Sequence, residues 1–273
     1  MKLTVLIENT TREEALISEH GLSIYIETTG HRLLMDTGAS SALMENARTL
    51  GIDLTGVDTV ILSHGHYDHG GGLLAFASQN DTADIYLRES ALEKHCRPTT
   101  GGMKDIGLDG RIRALSGLIP VNGNVKLDDE IFLFGNVTER VLWPDGNRVL
   151  MKEANGKAIQ DNFEHEQYVI LSEGGKEVLL SGCAHNGIVN ILEEAVRLRG
   201  REPDIVISGF HTRKKQGYTR QDVHTIQQIG QKLSRYRSRF YTGHCTGEEP
   251  FRILREVMGS QIQQVYTGWQ MEI

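Results

Sequence analysis

Strand and helix patterns alternate in both halves of this chain, and their order restricts the folds that it can adopt. Before residue 90, alternating apolar and β-branched residues predict strands at 3–7, 22–27, 32–35, 57–62 and 83–87, and helices at 40–50 and 72–78. After residue 160, strands are predicted at 167–172, 177–181, 204–208, 239–242 and 261–266, and helices at 187–198, 219–234 and 248–257. This order predicts an α/β (α+β) protein with two sheets, each covered by helices on its outer face.

The stretch between these regions has a different character. From about 98 to 160, Gly, Asn and Asp are frequent, apolar periodicity is weak, and short strand-like pieces such as 130–134 are separated by turn signals. A chain of 273 residues can bury roughly three quarters of its unfolded surface in one core. We therefore interpret residues 1–273 as a single domain with an irregular insertion or lid at about 98–160.

Composition and charge argue against several classes of protein. Apolar runs such as 60–62 and 178–180 fall far short of the roughly 20 residues of a membrane-spanning helix, and early acidic residues interrupt any secretory signal. We therefore expect a cytoplasmic protein without a membrane partner. A net charge of −7 argues against nucleic acid as a partner, while a homo-oligomer is compatible with the sequence. Three distant cysteines do not indicate a disulfide framework: Cys96, Cys183 and Cys245.

The most informative motif is SHGHYDHGGG at 63–72, directly after an apolar strand. His64, His66, Asp68 and His69 supply imidazole nitrogens and a carboxylate, which are donors that Zn²⁺, Fe²⁺ and Mn²⁺ accept. On a loop, the first three point to one side and the fourth comes from the other, so that one loop can serve two neighbouring ions. The isolated histidines elsewhere are expected to be solvated surface residues: His20, His95 and His224.

Three later segments place further donors just beyond apolar strands. They are SGCAHNG at 181–187, with Cys183 and His185; SGFH at 208–211, with His211; and TGHCTG at 242–247, with His244 and Cys245. Strand ends held by a rigid sheet can position such side chains accurately. The four motifs together predict a metal centre.

The segment 63–72 matches the H-x-H-x-D-H signature of the metallo-β-lactamase superfamily, and Asp36-Thr37-Gly38 looks like the early Asp motif of that superfamily. The resemblance implies an αββα sandwich of two mixed sheets with outer helices, metal at the sheet edge, and a metal-activated water as the nucleophile. Together with the segment 63–72, the three later segments resemble a narrower branch, the archaeal dihydropteroate-synthase-like enzymes of methanopterin biosynthesis and their bacterial relatives.

Carried over residue by residue, the resemblance implies ligands for one or two divalent metal ions. His64 and His66 resemble ligands of the first metal, while Asp68, His69 and His244 resemble ligands of the second. Zn²⁺ is the favoured ion, and Mn²⁺ and Fe²⁺ are alternatives.

Two further ligand positions have alternatives. The remaining ligand of the first metal is assigned to His185, which can instead cap the following helix, and His165 competes for the same role. Cys183 stands where most members of the superfamily have a bridging Asp. A thiolate there can bridge two borderline metals, or it can be an ordinary buried small side chain.

Two neighbouring residues have supporting interpretations. Asp36 can orient a ligating histidine through its other ring nitrogen, or it can simply form the turn before Thr37-Gly38. Cys245 adjoins His244, but on an extended segment it would point the other way. We therefore expect a structural role for Cys245.

Charge is distributed unevenly in the second half. Between 199 and 239, ten Lys or Arg residues face three acidic ones, which gives a local net charge of +7. Arg213, Lys214 and Lys215 follow His211 on a loop expected over the metal edge, where they can hold a phosphate or carboxylate. A solvated surface is the alternative. In this hypothesis His211 also orients or protonates the leaving group, and Asp68 receives a proton.

Three functions are compatible with these features. The favoured one is a metal-dependent hydrolase that acts on a phosphorylated or anionic small molecule through metal-activated water. If the narrower resemblance carries function, the protein is instead a synthase that joins a pterin methyl diphosphate to an aminobenzoate-type acceptor and releases diphosphate. The third is a metal-binding module without turnover.

Overall fold

A computed structural model describes the whole chain, residues 1–273. The chain divides into two compact units. The first unit comprises Met1–Val125, Val149–Gln167 and Tyr266–Ile273, and the second comprises Lys126–Arg148 and Tyr168–Val265.

The strands are numbered in chain order. They are β1 (Lys2–Ile7), β2 (Ser23–Glu27), β3 (Arg32–Met35), β4 (Thr59–Ile61), β5 (Asp84–Arg88), β6 (His95–Thr99), β7 (Gly102–Asp105), β8 (Leu118–Val121), β9 (Val125–Lys126), β10 (Ile131–Gly135), β11 (Met151–Ala154), β12 (Lys157–Gln160), β13 (Gln167–Glu173), β14 (Lys176–Leu180), β15 (Ile205–Ile207), β16 (Arg239–Thr242), β17 (Ile262–Gln264) and β18 (Gln270–Glu272). The α-helices are α1 (Ala42–Thr49), α2 (Tyr67–Gly70), α3 (Leu73–Ala77), α4 (Ile188–Arg199), α5 (Arg220–Leu233) and α6 (Glu248–Met258).

The first unit is built on a seven-stranded sheet with the order β18-β1-β2-β3-β4-β5-β8. Its strands are antiparallel from β18 to β3 and parallel from β3 to β8. Leu34 on β3 pairs with Val60 on β4, so the carboxyl ends of these two strands meet at one edge. Buried side chains of α1 and α3, such as Leu43 and Phe76, pack with apolar residues of the sheet. This core holds the edge at which the 63–72 motif begins.

A four-stranded antiparallel sheet, ordered β12-β11-β6-β7, also belongs to the first unit. It uses much of the stretch that the sequence predicted to be irregular, and its strands β7 and β12 are fully exposed. The same stretch contributes β8 to the large sheet of the first unit and β10 to that of the second. The weak periodicity at 98–160 therefore reflects short, exposed strands in addition to turns.

The second unit contains a seven-stranded sheet ordered β17-β16-β15-β14-β13-β10-β9. β13 and β14 form the predicted hairpin, in which Gly174 and Gly175 both have positive φ. From β14 to β17 the strands are parallel. The helix α5 begins with a capping box between Thr219 and Asp222. Buried residues of α4, α5 and α6 join those of the sheet in one apolar cluster.

Every strand and helix named in the sequence analysis is confirmed, with ends that differ by at most two residues. The short helix α2, the strands β6, β7, β8, β9, β11 and β12, and the last strand, β18, were not predicted. None of the helices reaches the length and apolarity required to cross a membrane.

Candidate metal centre

In the first unit, the loop after β4 buries four predicted metal ligands. The ring centroids of His64 and His66 are 4.6 Å apart, and those of His64 and His69 are 4.1 Å apart. Asp68 Oδ2 lies 3.9 Å from His69 Nε2. Asp68 and His69 are on α2, a helix of a single turn. Their side chains therefore do not alternate from side to side as they would on the extended loop assumed in the sequence analysis. The structure thus brings all four side chains together within the first unit.

Asp36 organises this loop from the end of β3. Its carboxylate is fully buried; Oδ1 accepts the Ser63 amide at 2.7 Å, and Oδ2 accepts the Ser63 hydroxyl at 2.7 Å. Oδ2 also lies 2.6 Å from His69 Nδ1, and Ser63 Oγ lies 2.8 Å from His64 Nδ1. Because the Ser63 hydroxyl donates to Asp36, it accepts the proton of His64 Nδ1. Both imidazoles then carry their lone pair at Nε2, and the predicted contact of Asp36 with a histidine is confirmed.

A second buried hydrogen-bond network contacts the 63–72 loop through Gly65. The Gly65 amide donates to His165 Nδ1 at 3.0 Å, and His165 Nε2 lies 3.2 Å from Asp161 Oδ2. Since Nδ1 is an acceptor, the ring proton is on Nε2, which donates to the carboxylate. In this arrangement His165 has no lone pair left for a metal ion. The assignment of His185 as the third ligand of the first metal stays a prediction.

One expectation about isolated histidines is wrong. His95 is fully buried on β6, where its Nδ1 lies 2.9 Å from Asp161 Oδ2. Its partner is distant in sequence, so no local pattern indicated the contact. His20 and His224 are exposed as expected, although His20 Nε2 lies 3.4 Å from Asp68 Oδ2.

The buried network makes the stability of the first unit acid-sensitive. Burial and the neighbouring His95 lower the pKa of His165 to about 4, below the usual 6.5. Burial raises the pKa of Asp161, but hydrogen bonds from His165 and His95 outweigh this effect and hold it well below its usual value. Both groups bind a proton more readily in the unfolded chain than in the folded one. Their contribution to stability is therefore lost as the pH falls.

For His165 the loss begins near pH 6.5 and continues through pH 4. We expect the free energy of unfolding of the metal-free protein to fall by about 3 kcal/mol from this histidine over that range. Urea denaturation at a series of pH values measures it. His165→Gln should show a shallower slope of stability against pH than the wild type, and identical slopes would contradict the assignment.

In the second unit, the motifs at 181–187, 208–211 and 242–247 each follow one of three parallel strands. β14, β15 and β16 are parallel neighbours, so the segments that follow them leave the same edge of the sheet. The Cys183 sulfur lies at the centre of these segments. Among residues of the second unit, it is within 4.8 Å of a donor atom in each of four: His185, His211, His244 and Cys245.

Left-handed backbone conformations shape these segments. Ala184, His211 and His244 have φ of 53°, 49° and 50°, values that are uncommon outside glycine and that persist only where the surrounding structure enforces them. The extended segment assumed for Cys245 is therefore not observed. Instead, the Cys245 sulfur lies within 4.8 Å of donor atoms of Cys183 and His211.

His185 is held by a residue that the sequence analysis did not identify. Asn147 Oδ1 lies 2.8 Å from His185 Nδ1, and Asn147 Nδ2 donates to the His185 carbonyl at 2.7 Å. The second bond fixes the orientation of the amide, so its oxygen faces the ring nitrogen. His185 Nδ1 then donates, and the lone pair of the ring is at Nε2. Asn147 lies in the stretch predicted to be irregular, where nothing distinguished it from other turn residues.

The Cys245 sulfur is buried and has a hydrogen-bond partner on each of two sides. It accepts the His211 amide at 3.3 Å and lies 3.4 Å from the Cys183 carbonyl. Burial would raise the pKa of the Cys245 thiol, but interactions with the neighbouring Cys183, His211 and His244 hold the pKa well below its usual value.

A cavity of about 590 Å³ opens beside His211 within the second unit. Arg213 and Lys214 line it as well, whereas Lys215 is exposed and is not part of its wall. Lys214 Nζ already lies 2.6 Å from Asp222 and 3.3 Å from Asp145. Its charge is therefore matched within the protein. The remaining wall includes apolar and aromatic side chains: Leu142, Trp143, Tyr218, Ile226 and Ile229.

The cations of this cavity differ in their availability. Arg148 pairs with Asp145 at 2.6 Å, as Lys214 pairs with its two carboxylates. Arg213 makes no ion pair, and its stem packs over Gly247, where an added Cβ would lie 3.1 Å from Arg213 Cβ. Arg213 is thus the cavity cation best placed to meet an anionic ligand.

The donors in each unit fit a borderline divalent metal. The first unit offers imidazoles and a carboxylate, and the second offers imidazoles and thiols, which are ligands of Zn²⁺ and Fe²⁺. His64, His69 and His185 each have Nδ1 engaged by a neighbouring polar group, which leaves the lone pair at Nε2. Metal-binding histidines in proteins are oriented in this way.

Comparisons with known proteins agree with these features. The sequence profile of the metallo-beta-lactamase superfamily matches residues 18–149. An uncharacterised protein of Methanocaldococcus jannaschii is 30% identical over 217 residues, which cover 77% of this chain and 78% of that protein. The 7,8-dihydropterin-6-methyl-4-(beta-D-ribofuranosyl)-aminobenzene-5'-phosphate synthase of the same organism is 26% identical over 268 residues, which cover 92% of this chain and 89% of the synthase.

Similarity to a solved structure extends over the whole chain. Tm1679, described as a metal-dependent hydrolase of the beta-lactamase superfamily, superposes with a TM-score of 0.84 and 28% identity, covering 100% of this chain and 99% of Tm1679. The predicted fold class is thereby confirmed, as is the distant relationship to the methanopterin-pathway synthase. The chain thus shares the sequence profile, over residues 18–149, and the fold of the metallo-β-lactamase superfamily.

Proposed function

We propose that the protein is a metal-dependent hydrolase that acts on a phosphorylated or otherwise anionic small molecule. The observation that carries the proposal is the buried Asp36 carboxylate, which contacts His69 directly and His64 through Ser63. A buried carboxylate that fixes two imidazoles with Nε2 lone pairs is typical of a metal site. The description of Tm1679 as a metal-dependent hydrolase supports the same function.

His64, His66 and His185 bind the first ion in this proposal, and Asp68, His69 and His244 bind the second. Cys183 would be a further ligand of the metal centre or would stay a buried thiol. Zn²⁺ suits this set of nitrogen, oxygen and sulfur donors best, and Mn²⁺ or Fe²⁺ are alternatives. When bound, the metal lowers the pKa of a water molecule to about 7 and polarises a substrate oxygen.

The remaining roles belong to side chains of this chain. Asp68 is proposed to receive a proton from the attacking water in addition to holding the second ion. His211 lines the cavity and is proposed to orient or protonate the leaving group. Arg213 is proposed to hold the anionic group of the substrate, because its guanidinium has no carboxylate partner.

A second function is favoured by one observation. The relative that covers 92% of this chain is a synthase whose printed name describes a dihydropterin joined to an aminobenzene ribofuranosyl phosphate. The corresponding activity here would join a pterin methyl diphosphate to an aminobenzoate-type acceptor and release diphosphate. Both functions require a metal centre and an anion-binding cavity.

The test loads the metal-free protein separately with Zn²⁺, Mn²⁺ and Fe²⁺. Each form is then assayed with phosphomonoester, phosphodiester and lactone substrates, and with a pterin methyl diphosphate plus an aminobenzoate-type acceptor. Metal-dependent hydrolysis supports the proposal, and diphosphate release only in the presence of acceptor favours the synthase. Metal binding without turnover of any substrate would indicate a metal-binding module and contradict both.

The cavity cations provide a matched pair of variants. We expect Arg213→Ala to raise KM for an anionic substrate about tenfold or more with a smaller effect on kcat, because it removes a charge-assisted contact of about 1.5–3 kcal/mol. Lys214→Ala, at the neighbouring position, should change KM much less since Lys214 is neutralised by Asp222 and Asp145. Steady-state kinetics on both variants measures this. Equal effects would contradict the role given to Arg213.

A further inference from the structure

Two thiols and one imidazole form a compact cluster within the second unit. The donor atoms of Cys183, Cys245 and His211 all lie within 4.8 Å of one another. A zinc ion binds sulfur at about 2.3 Å and nitrogen at about 2.0–2.1 Å, which places tetrahedral donors roughly 3.5–4 Å apart. Small side-chain rotations therefore suffice to close the cluster around one ion.

We propose that Cys183, Cys245 and His211 form a thiolate-rich site for a borderline divalent ion such as Zn²⁺. Both cysteines are buried, with 3% and 5% of their surfaces exposed, and soft thiolate donors combined with imidazole select zinc or iron over magnesium or calcium. Cys183 and His211 also have roles in the proposed function, where Cys183 is either a bridging ligand or a buried thiol, whereas Cys245 has none. The inference goes beyond that function because it adds Cys245 and places all three side chains on a separate ion.

The surroundings of the sulfur atoms support metal binding. The His211 amide donates to Cys245 Sγ at 3.3 Å, and hydrogen bonds of this kind stabilise metal-bound thiolates. His211 Nδ1 is buried and makes no hydrogen bond, although buried polar atoms nearly always have a partner. An ion held by the two thiolates would supply that partner.

Gly209 leaves the space that the Cys245 sulfur occupies. A Cβ added at Gly209 would lie 2.4 Å from Cys245 Sγ and 3.5 Å from Cys183 Cα. Any other residue at this position must displace the thiol. Gly209→Ala therefore perturbs the cluster without removing a donor, which makes it a second variant beside Cys245→Ser.

Cobalt substitution tests the site. Thiolate bonded to Co²⁺ gives a charge-transfer band in the near ultraviolet whose intensity follows the number of cobalt–sulfur bonds. We expect this band in the Co²⁺-loaded wild type, a decrease to about half in Cys245→Ser, and a decrease in Gly209→Ala. Cys96→Ser is the matched control, because Cys96 lies on β6 in the first unit, and it should leave the band unchanged.

Two results would overturn the inference: no band in the wild type, or a band of full intensity in folded Cys245→Ser. Circular dichroism shows whether Cys245→Ser and Gly209→Ala fold. If neither variant folds, the ¹¹³Cd NMR spectrum of the cadmium-loaded wild type tests the site instead, since each added thiolate ligand moves the resonance downfield. A resonance typical of two thiolates supports the site, and one typical of a single thiolate or none contradicts it. The cobalt band and the cadmium resonance do not depend on hydrolase activity. Either proposal can therefore be contradicted while the other is supported.

Discussion

His66→Ala should lose bound metal and lower kcat/KM by roughly a thousandfold. His66 is buried in the 64–69 loop next to His64, and its removal deletes a proposed ligand. Loss of about 4 kcal/mol of transition-state stabilisation corresponds to a factor of this size. Elemental analysis after dialysis measures the metal content, and the hydrolase assay measures turnover.

The matched control is His224→Ala. His224 is an exposed histidine on α5 and is not among the proposed ligands, so both metal content and kcat/KM should equal those of the wild type. A His66→Ala protein that keeps its metal and its activity would contradict the ligand assignment. Burial lowers the pKa of His66 well below 6.5, so the imidazole is neutral and able to bind metal at neutral pH.

Asp36→Asn should weaken metal binding by about 10- to 100-fold while every proposed ligand stays in place. The carboxylate accepts three hydrogen bonds from Ser63 and His69, and an amide cannot accept all of them. Its NH₂ group would face a donor, so the imidazole loses its fixed tautomer. Asn tolerates the φ of +58° at this position, so backbone strain does not confuse the result.

The same substitution should also destabilise the metal-free protein by about 1–3 kcal/mol, because buried donors lose their acceptor. Competition with a chromophoric chelator measures the affinity, and urea denaturation measures the stability. Asp81→Asn is the control, since Asp81 is exposed and makes no hydrogen bond. An Asp36→Asn protein with wild-type affinity would show that the carboxylate only shapes the turn.

The regular elements could be predicted from sequence because their burial follows their pattern. β14 and β15 are short apolar runs between turn signals, and their strands are buried almost throughout. β18 escaped prediction since its three residues are largely exposed and gain their strand character only from pairing with β1. The sheet that contains β7 and β12 escaped for the same reason.

The metal-donor residues of the candidate site could also be predicted from the sequence, because each follows a strand within a distinctive motif. Most of the residues that hydrogen-bond to these donors could not be predicted. Asn147 meets His185 across 38 positions and His95 meets Asp161 across 66, and neither pair shares a motif. Lys214 likewise pairs with Asp222 because Asp222 lies in the first turn of α5. The sequence therefore indicated a cluster of basic residues but not that Asp222 neutralises Lys214. Hydrogen-bond partners distant in sequence have no local signature.

The most direct test of the proposed centre is a crystal soaked with Zn²⁺ and measured at the zinc absorption edge. The proposal predicts an anomalous peak about 2.0–2.3 Å from donors of the 64–69 loop and from at least one of His185 and His244. An anomalous map without a peak would contradict the proposal. So would a peak whose ligands all come from the 64–69 loop, or all from the segments that hold His185 and His244.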